Sequence, residues 1–282
     1  MKRSTLSPPV TDIVPPPATH AIRRVLDEKA VRMVYQPVVD LRTRRIFAYE
    51  ALVRSKAPEF ASPPDLFNAA VEHSCTGELG RMLRELSLEG CPDFPLFLNI
   101  HPAELNERYI VQPNDPIFRH DRDVYLEITE GVPLSHFHLC QTILSEVRDR
   151  GVYLVVDDLG AGYSNLKYIA DLEPRVVKLD RGLVAGLTQS SRLFKLVSAI
   201  VVLCTELDAV VVAEGIETVE ELEAVIASGA QFGQGYLLAR PAFPLPELTW
   251  PAELGGAPQA APQRRREKPT LKPRTTTKNR RR

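Results

Sequence analysis

The 282-residue chain contains no apolar run approaching the roughly 18–20 residues of a membrane-spanning helix. Its opening, MKRSTLSPPVTDIVPPPATH, has two basic residues but no apolar h-region, so it does not read as a secretory signal. The four cysteines, Cys75, Cys91, Cys140 and Cys204, lie far apart and form no C-x-x-C pair. That spacing argues against a zinc site or a disulfide framework and suits a reducing cytoplasm. No G-x-G-x-x-G follows the first predicted strand, which weakens a dinucleotide-fold reading. Net charge is almost absent too, at -1.

The small net charge hides an asymmetry. Residues 264–282 hold ten Lys or Arg and one Glu, and 1–20 carry +1, which leaves -11 for the body between them. Both ends are rich in proline and poor in large apolar residues, a composition that reads as disorder. The expected organisation is a Pro-rich leader over 1–20, one domain over 21–250 and a basic tail over 251–282. At 44% hydrophobic and 25% charged, the whole is ordinary for a soluble globular protein.

Within the body, short apolar runs alternate with helical periodicity. The runs are MVYQPVVDL (33–41), YEALVR (49–54), PLFLNI (95–100), VYLEIT (124–129), YLVVDD (153–158), RVVKLD (175–180), AVVVAEG (209–215) and QGYLLA (234–239). Between them, SHFHLCQTILSEVRDRG places Phe137, Cys140, Ile143, Leu144 and Val147 on one face, with Gly151 as its stop. TVEELEAVIASGA opens with a capping box, Thr218 and Glu221. Eight strands alternating with helices predict a largely parallel sheet, and a (β/α)8 barrel fits that count. An open doubly wound sheet is the alternative.

The strand ends carry the chemistry. They supply Glu50 and Arg54, Asn99, Glu127 with Glu130 beyond it, Asp157 and Asp158, Lys178 and Asp180, Glu214 with Glu217 following, and Gln234. In a barrel these ends converge on the face where active sites form. Carboxylates crowded together repel unless a cation shares the site. Oxygen donors without cysteine or clustered histidine suit Mg²⁺ or Mn²⁺, and a ring of this size can hold two ions, an arrangement associated with phosphoryl-ester hydrolysis. Each residue alone also has a structural explanation, such as a turn former or a solvated strand end; the joint occurrence is what points to a site.

The run YQPVVDLRTRRIFAYEALVR, with Glu50-Ala51-Leu52, resembles the signature of the EAL-domain cyclic-di-GMP phosphodiesterases. FLNIHP (97–102), LEITE (126–130), DDLGAGYSNL (157–166), KLD (178–180), VAEGIE (212–217) and QGYLLARP (234–241) follow in the family's order. The resemblance spans about residues 22–243. It implies a (β/α)8-type barrel whose first strand is antiparallel, and hydrolysis of cyclic di-GMP to linear pGpG with two Mg²⁺ or Mn²⁺ ions. By position it implies Glu50, Asn99, Glu127, Asp157, Asp158 and Glu214 as metal ligands and Lys178 as the residue orienting the attacking water, with Glu214 also assigned as base. Gln36 and Arg54 are implied to contact the dinucleotide, and Asp180 and Gln234 to support water and ligand. Glu130 and Glu217 are implied to hold the loop after Asp158, which in this family links catalysis to a homodimer.

Leu159 stands where the family commonly has Phe, and His101 where many members have Ser; a structural role before Pro102 is expected for the histidine. Many members carry sensor or GGDEF domains, and no segment of this sequence is expected to form one. Two other functions compete with the enzyme. One is a catalytically silent cyclic-di-GMP receptor, which loss of a ligand or of the lysine would mark; none is lost. The other makes the barrel a scaffold for the basic tail, whose partner would be nucleic acid, an anionic membrane or an acidic protein.

Overall fold

The computed structural model describes residues 17–106, 109–129, 134–161 and 166–255. The chain enters through helix α1 (Pro17–Glu28) and folds back on itself as a hairpin of β1 (Val31–Asp40) and β2 (Arg45–Ser55). Helices α2 (Pro63–Glu72) and α3 (Thr76–Gly90) lead to β3 (Leu96–Asn99), then α4 (Pro102–Asn106) and β4 (Val124–Thr129). The remainder alternates: α5 (Leu134–Asp149), β5 (Tyr153–Leu159), α6 (Lys167–Leu172), β6 (Val176–Leu179), α7 (Arg181–Val184), α8 (Arg192–Glu206), β7 (Val210–Ala213), α9 (Val219–Ser228) and β8 (Phe232–Gly233). The eight strands close into a barrel in sequence order, with β1 antiparallel to both β2 and β8 and every other pairing parallel. The barrel and its reversed first strand are as expected.

Local signals explain most boundaries. α9 starts at the predicted capping box, with Thr218 accepting from the Glu221 amide and the Glu221 carboxylate bonding back to the cap. Gly151, at φ 82°, takes the chain out of α5. Two expectations shift. α1 begins at Pro17, inside the span read as a leader, and Ala21, Ile22, Val25 and Leu26 bury one stripe against α2 and α3. The last strand lies at 232–233 rather than 234–239. There the chain wraps around the loop after β7: Ile216 N donates to Gln234 O at 3.1 Å, and Leu237 N donates to Ile216 O at 3.1 Å. Gly235 permits this approach, since a Cβ at that position would collide with the Ile216 backbone.

Strand alternation sorts side chains into two cores. Leu96, Leu98, Leu126, Leu154, Val156, Val177 and Val211 pack outward beneath the helices. Val38, Ala48, Phe97, Tyr125, Val155, Val176, Val212 and Phe232 form a separate cluster with one member from each strand, which plugs the barrel interior. Among the described residues no helix is long and apolar enough to cross a membrane, and all four cysteines are free and buried.

Candidate active site

The interior plug sets the site. Two residues further along each parallel strand, on the same face, stand Glu50 after Ala48, Asn99 after Phe97, Glu127 after Tyr125, Asp157 after Val155, Lys178 after Val176, Glu214 after Val212 and Gln234 after Phe232. On the reversed β1 the count runs backwards, and Gln36 stands two residues before Val38. Register places Gln36 beside Glu50 and Asn99 beside Glu127, while the barrel's stagger sets Glu50 beside Phe97, Glu127 beside Val155 and Lys178 beside Val212. An apolar layer is thus roofed by a polar layer to which all eight strands contribute.

Alternation alone would turn Asp158 to the outside. Between β5 and β6, however, Val156 pairs Val177 while Leu159 pairs Leu179, so β5 carries one extra residue. Asp158 absorbs it at φ 58°, a left-handed conformation that Asp tolerates better than most side chains. The bulge therefore brings both adjacent aspartates to one place. Ligand oxygens of Asp157, Asp158 and Glu214 all lie within 4.8 Å of one another.

Lys178, 1% exposed, sits at the centre of this layer. Its Nζ lies 2.6 Å from Glu127 Oε1, 2.6 Å from Glu214 Oε1, 3.1 Å from Asp157 Oδ1 and 3.4 Å from Glu50 Oε2. Burial opposes its charge, but these four carboxylates outweigh that and hold its pKa well above the usual value. One ammonium cannot neutralise five carboxylates. Burial, then Glu50 and Asp157, push Glu127 well above the carboxylate range despite Lys178. Burial pushes Glu214 up to about 8, and burial with Asp157 pushes Asp158 up to about 6. Gln234 Nε2 ties the near wall together, donating to Glu50 Oε2 at 2.7 Å and to Gln36 Oε1 at 3.1 Å, while Asn99 Nδ2 approaches Glu50 Oε1 at 3.4 Å.

The residues fit a hard divalent cation. Oε2 of Glu127 is buried without a hydrogen-bond partner, since Lys178 meets only the other oxygen, Oε1. A buried acceptor in that state is costly, and a cation offset from Lys178 would satisfy it. Two cavities flank the layer and share Glu50 and Leu52. One, about 240 Å³, is lined by Arg54, Phe67, Arg84 and Asn99; the other, about 300 Å³, by Asp157, Asp158, Glu214 and Gln234.

The remaining predicted residues fall around this centre. Arg54 lines the first cavity, its Nη1 donating to the Val53 carbonyl at 2.8 Å. Asp180 lines the second and caps α7, accepting from Gly182 N at 2.7 Å. Glu217 forms a two-pronged pair with Arg181, whose hydrogen bond lowers its pKa. Glu130 and loop residues 162–165 lie outside the described residues. Arg181 and Tyr236 also line the second cavity and were not singled out from sequence. The strand-end rule that found Asp180 and Gln234 would have reached both.

Comparison with known proteins agrees with the fold. The EAL domain family matches residues 19–241. A cyclic di-GMP phosphodiesterase of Pseudomonas aeruginosa, PA2567, is 31% identical over 230 residues, covering 77% of this chain and 39% of its own length. An uncharacterised Sinorhizobium fredii protein, y4lL, is 31% identical over 78% of this chain and 28% of its own length. The chain thus spans well under half of these curated relatives. Among solved structures, the EAL enzyme Bd1971 with cAMP and cyclic di-GMP bound superposes with a TM-score of 0.71 at 26% identity, over 79% of this chain and 65% of that one. Klebsiella pneumoniae BlrP1 in complex with manganese and cyclic di-GMP gives 0.64 at 27% identity, over 76% of this chain and 56% of that one. The reversed first strand, the motif blocks in order and a match running almost the full length of the barrel place this chain in the EAL-domain family.

Proposed function

We propose that the chain is a cyclic-di-GMP phosphodiesterase that produces linear pGpG, with two Mg²⁺ or Mn²⁺ ions held by Asp157, Asp158, Glu214, Glu50, Asn99 and Glu127. The observation that carries this reading is the layer of five carboxylates, three of them buried, around one buried lysine. When bound, divalent ions supply Lewis acidity and bring a water molecule within reach of deprotonation near neutral pH. The chain's own groups do the rest. Lys178, whose charge the four surrounding carboxylates favour, is placed to donate to them and to fix their orientation. Glu214, whose ligand oxygen lies within 4.8 Å of those of Asp157 and Asp158, is the carboxylate placed to accept a proton from the attacking water. Gln234 and Gln36 hold Glu50 between the two cavities, which gives a dinucleotide room on both sides of its scissile phosphate. A receptor that binds without turnover would be favoured by a missing ligand or lysine, and every position is filled.

The test is direct. Purified protein with cyclic di-GMP and Mg²⁺ or Mn²⁺ is expected to yield pGpG, EDTA to abolish it and added metal to restore it. Full turnover in EDTA would contradict the two-ion reading.

Two partners belong to the same reading. The first is a second copy of the chain. Helix α8 exposes Leu196, Val202 and Leu203 at 50%, 60% and 38%, with Arg192 and Lys195 near one end of the helix and Glu206 at the other. Antiparallel pairing of two α8 helices would cover the apolar stripe and set each basic end against an acidic one. Light scattering is expected to find a dimer that Val202→Asp converts to monomer; a monomeric wild type would refute it.

The second is an anionic surface, bound by the ten basic residues among 264–282. Arg44, in the turn joining β1 to β2, donates to Gly255 O at 2.9 Å, so the chain leaves the barrel at the floor, opposite the carboxylate layer. A tether attached there leaves the rim open. Truncation after Gly256 is expected to keep hydrolysis intact and to remove salt-sensitive binding to DNA or anionic vesicles. Equal binding by both forms at low salt would eliminate the tether.

A further inference from the structure

Outside the carboxylate layer, a second group of charges is buried as deeply. Arg84 of α3, Glu104 of α4 and Asp115 have side chains that are 2%, 1% and 0% exposed. Arg84 Nη2 and Nε donate to Asp115 Oδ2 at 2.9 and 3.2 Å, and Nη1 donates to Glu104 Oε2 at 2.5 Å. Asp115 Oδ1 also accepts from Ile117 N at 3.2 Å. A triad of this kind adds little to stability, because well-packed apolar residues of similar volume are often as good or better. Its distinctive property is geometric. A guanidinium fork meeting carboxylates at fixed angles holds three segments in one arrangement.

The arrangement reaches the site through Glu104. Its other oxygen, Oε1, accepts from the His101 amide at 3.1 Å, and its own amide donates to the His101 carbonyl at 2.9 Å. His101 closes the turn that begins at Asn99, the last residue of β3. Its ring stacks on Phe67, with centroids 5.7 Å apart and planes at 10°. Phe67, Arg84 and Asn99 line the same 240 Å³ cavity beside Glu50. Helix α3 makes room for the clamp: one turn before Arg84 stands Gly80, where a Cβ would collide with the Glu104 carboxylate. The sequence marked His101 as a departure from its relatives and gave it no partner; the triad supplies one.

We infer that Arg84, Glu104 and Asp115 are positioning residues, a buried clamp that fixes the β3–α4 turn and so sets Asn99 against Glu50 and Glu127. The inference rests on the proposed role of Asn99 as a metal ligand. Residues that orient a ligand without touching the ion change metal affinity by about 10–100-fold when removed.

The test measures Mn²⁺ affinity by calorimetry alongside thermal stability, on the whole chain. Glu104→Ala is expected to weaken Mn²⁺ binding at least tenfold. Glu104→Gln keeps an oxygen for the His101 amide and is expected to stay within threefold of wild type. A triple variant, Arg84→Met with Glu104→Leu and Asp115→Leu, is expected to fold with a thermal midpoint at or above wild type and yet to bind Mn²⁺ at least tenfold more weakly. That pairing separates positioning from stability. Wild-type Mn²⁺ affinity in folded Glu104→Ala or in the triple variant overturns the clamp. So does failure of both to fold, because the triad would then be needed for the fold itself. A wild-type protein that binds no Mn²⁺ would bring down the metal reading and the clamp with it, whereas normal wild-type binding matched by the variants brings down the clamp alone.

Discussion

Replacing Lys178 with methionine is expected to destabilise the chain by about 3–5 kcal/mol when measured in EDTA, the usual result of removing one partner from a buried ion pair. The volume is nearly preserved, so the loss is electrostatic. Glu50, Glu127, Asp157 and Glu214 would face one another at 2.6 to 3.4 Å from a vacated charge, with no other Lys or Arg paired to them among the described residues. The loss has a definite pH dependence. Lys178 lowers the pKa of both Glu127 and Glu214, so its removal raises further two values that already lie above the ordinary 4.5. A folded state with raised carboxylate pKa values binds protons that the unfolded chain does not. Stability is therefore greatest below about 4.5 and falls as pH rises through the folded values, about 8 for Glu214 before the substitution. Urea midpoints at pH 5 and pH 8 read this directly. A variant with the wild-type midpoint at pH 8 in EDTA would show that the lysine does not hold the layer together.

Glu50→Ala and Glu214→Ala are expected to behave in the opposite way. Turnover of cyclic di-GMP should fall by roughly 10²–10³ or more, the scale of losing a group that acts on the transition state. Stability in EDTA should hold or rise, because each substitution removes one like charge from a crowded, buried set. Glu50 stands between the two cavities and accepts from Gln234, so its loss also frees the wall that separates them. Steady-state kinetics and a melt on the same preparation decide the matter. A folded Glu50→Ala protein with near wild-type turnover would remove Glu50 from the chemistry, and a wild type that binds cyclic di-GMP without cleaving it would favour the receptor.

Local pattern carried much of this. Seven strand windows were legible because each is a short apolar run with a polar residue at or next to its end, and the α9 cap because its two partners are three residues apart. The layer was legible as a set of strand ends. What local pattern does not encode is long-range. The last strand shifted because Gly235 sits against Ile216, nineteen residues earlier in the chain. The bulge that brings Asp158 inward exists only in its pairing with β6. The triad joins residues 84, 104 and 115, each of which reads as an ordinary surface charge until burial is known. The reversal of β1 followed from family resemblance, since alternation has period two whichever way a strand runs.

That reversal has a topological consequence. In an all-parallel barrel the polypeptide enters at the floor, a full strand away from the chemistry. Here Val31 pairs with Ser55 at the rim and Asp40 with Arg45 at the floor, so the polypeptide enters beside the mouth. The start of β1 therefore lies at the end of the barrel that carries the carboxylate layer. A pull on β1 of one residue, roughly 3.3 Å, would turn every side chain on it to the opposite face. Gln36 would leave Glu50 and Gln234 together. The first strand thus starts at the same end of the barrel as the carboxylate layer and is tied into it through Gln36.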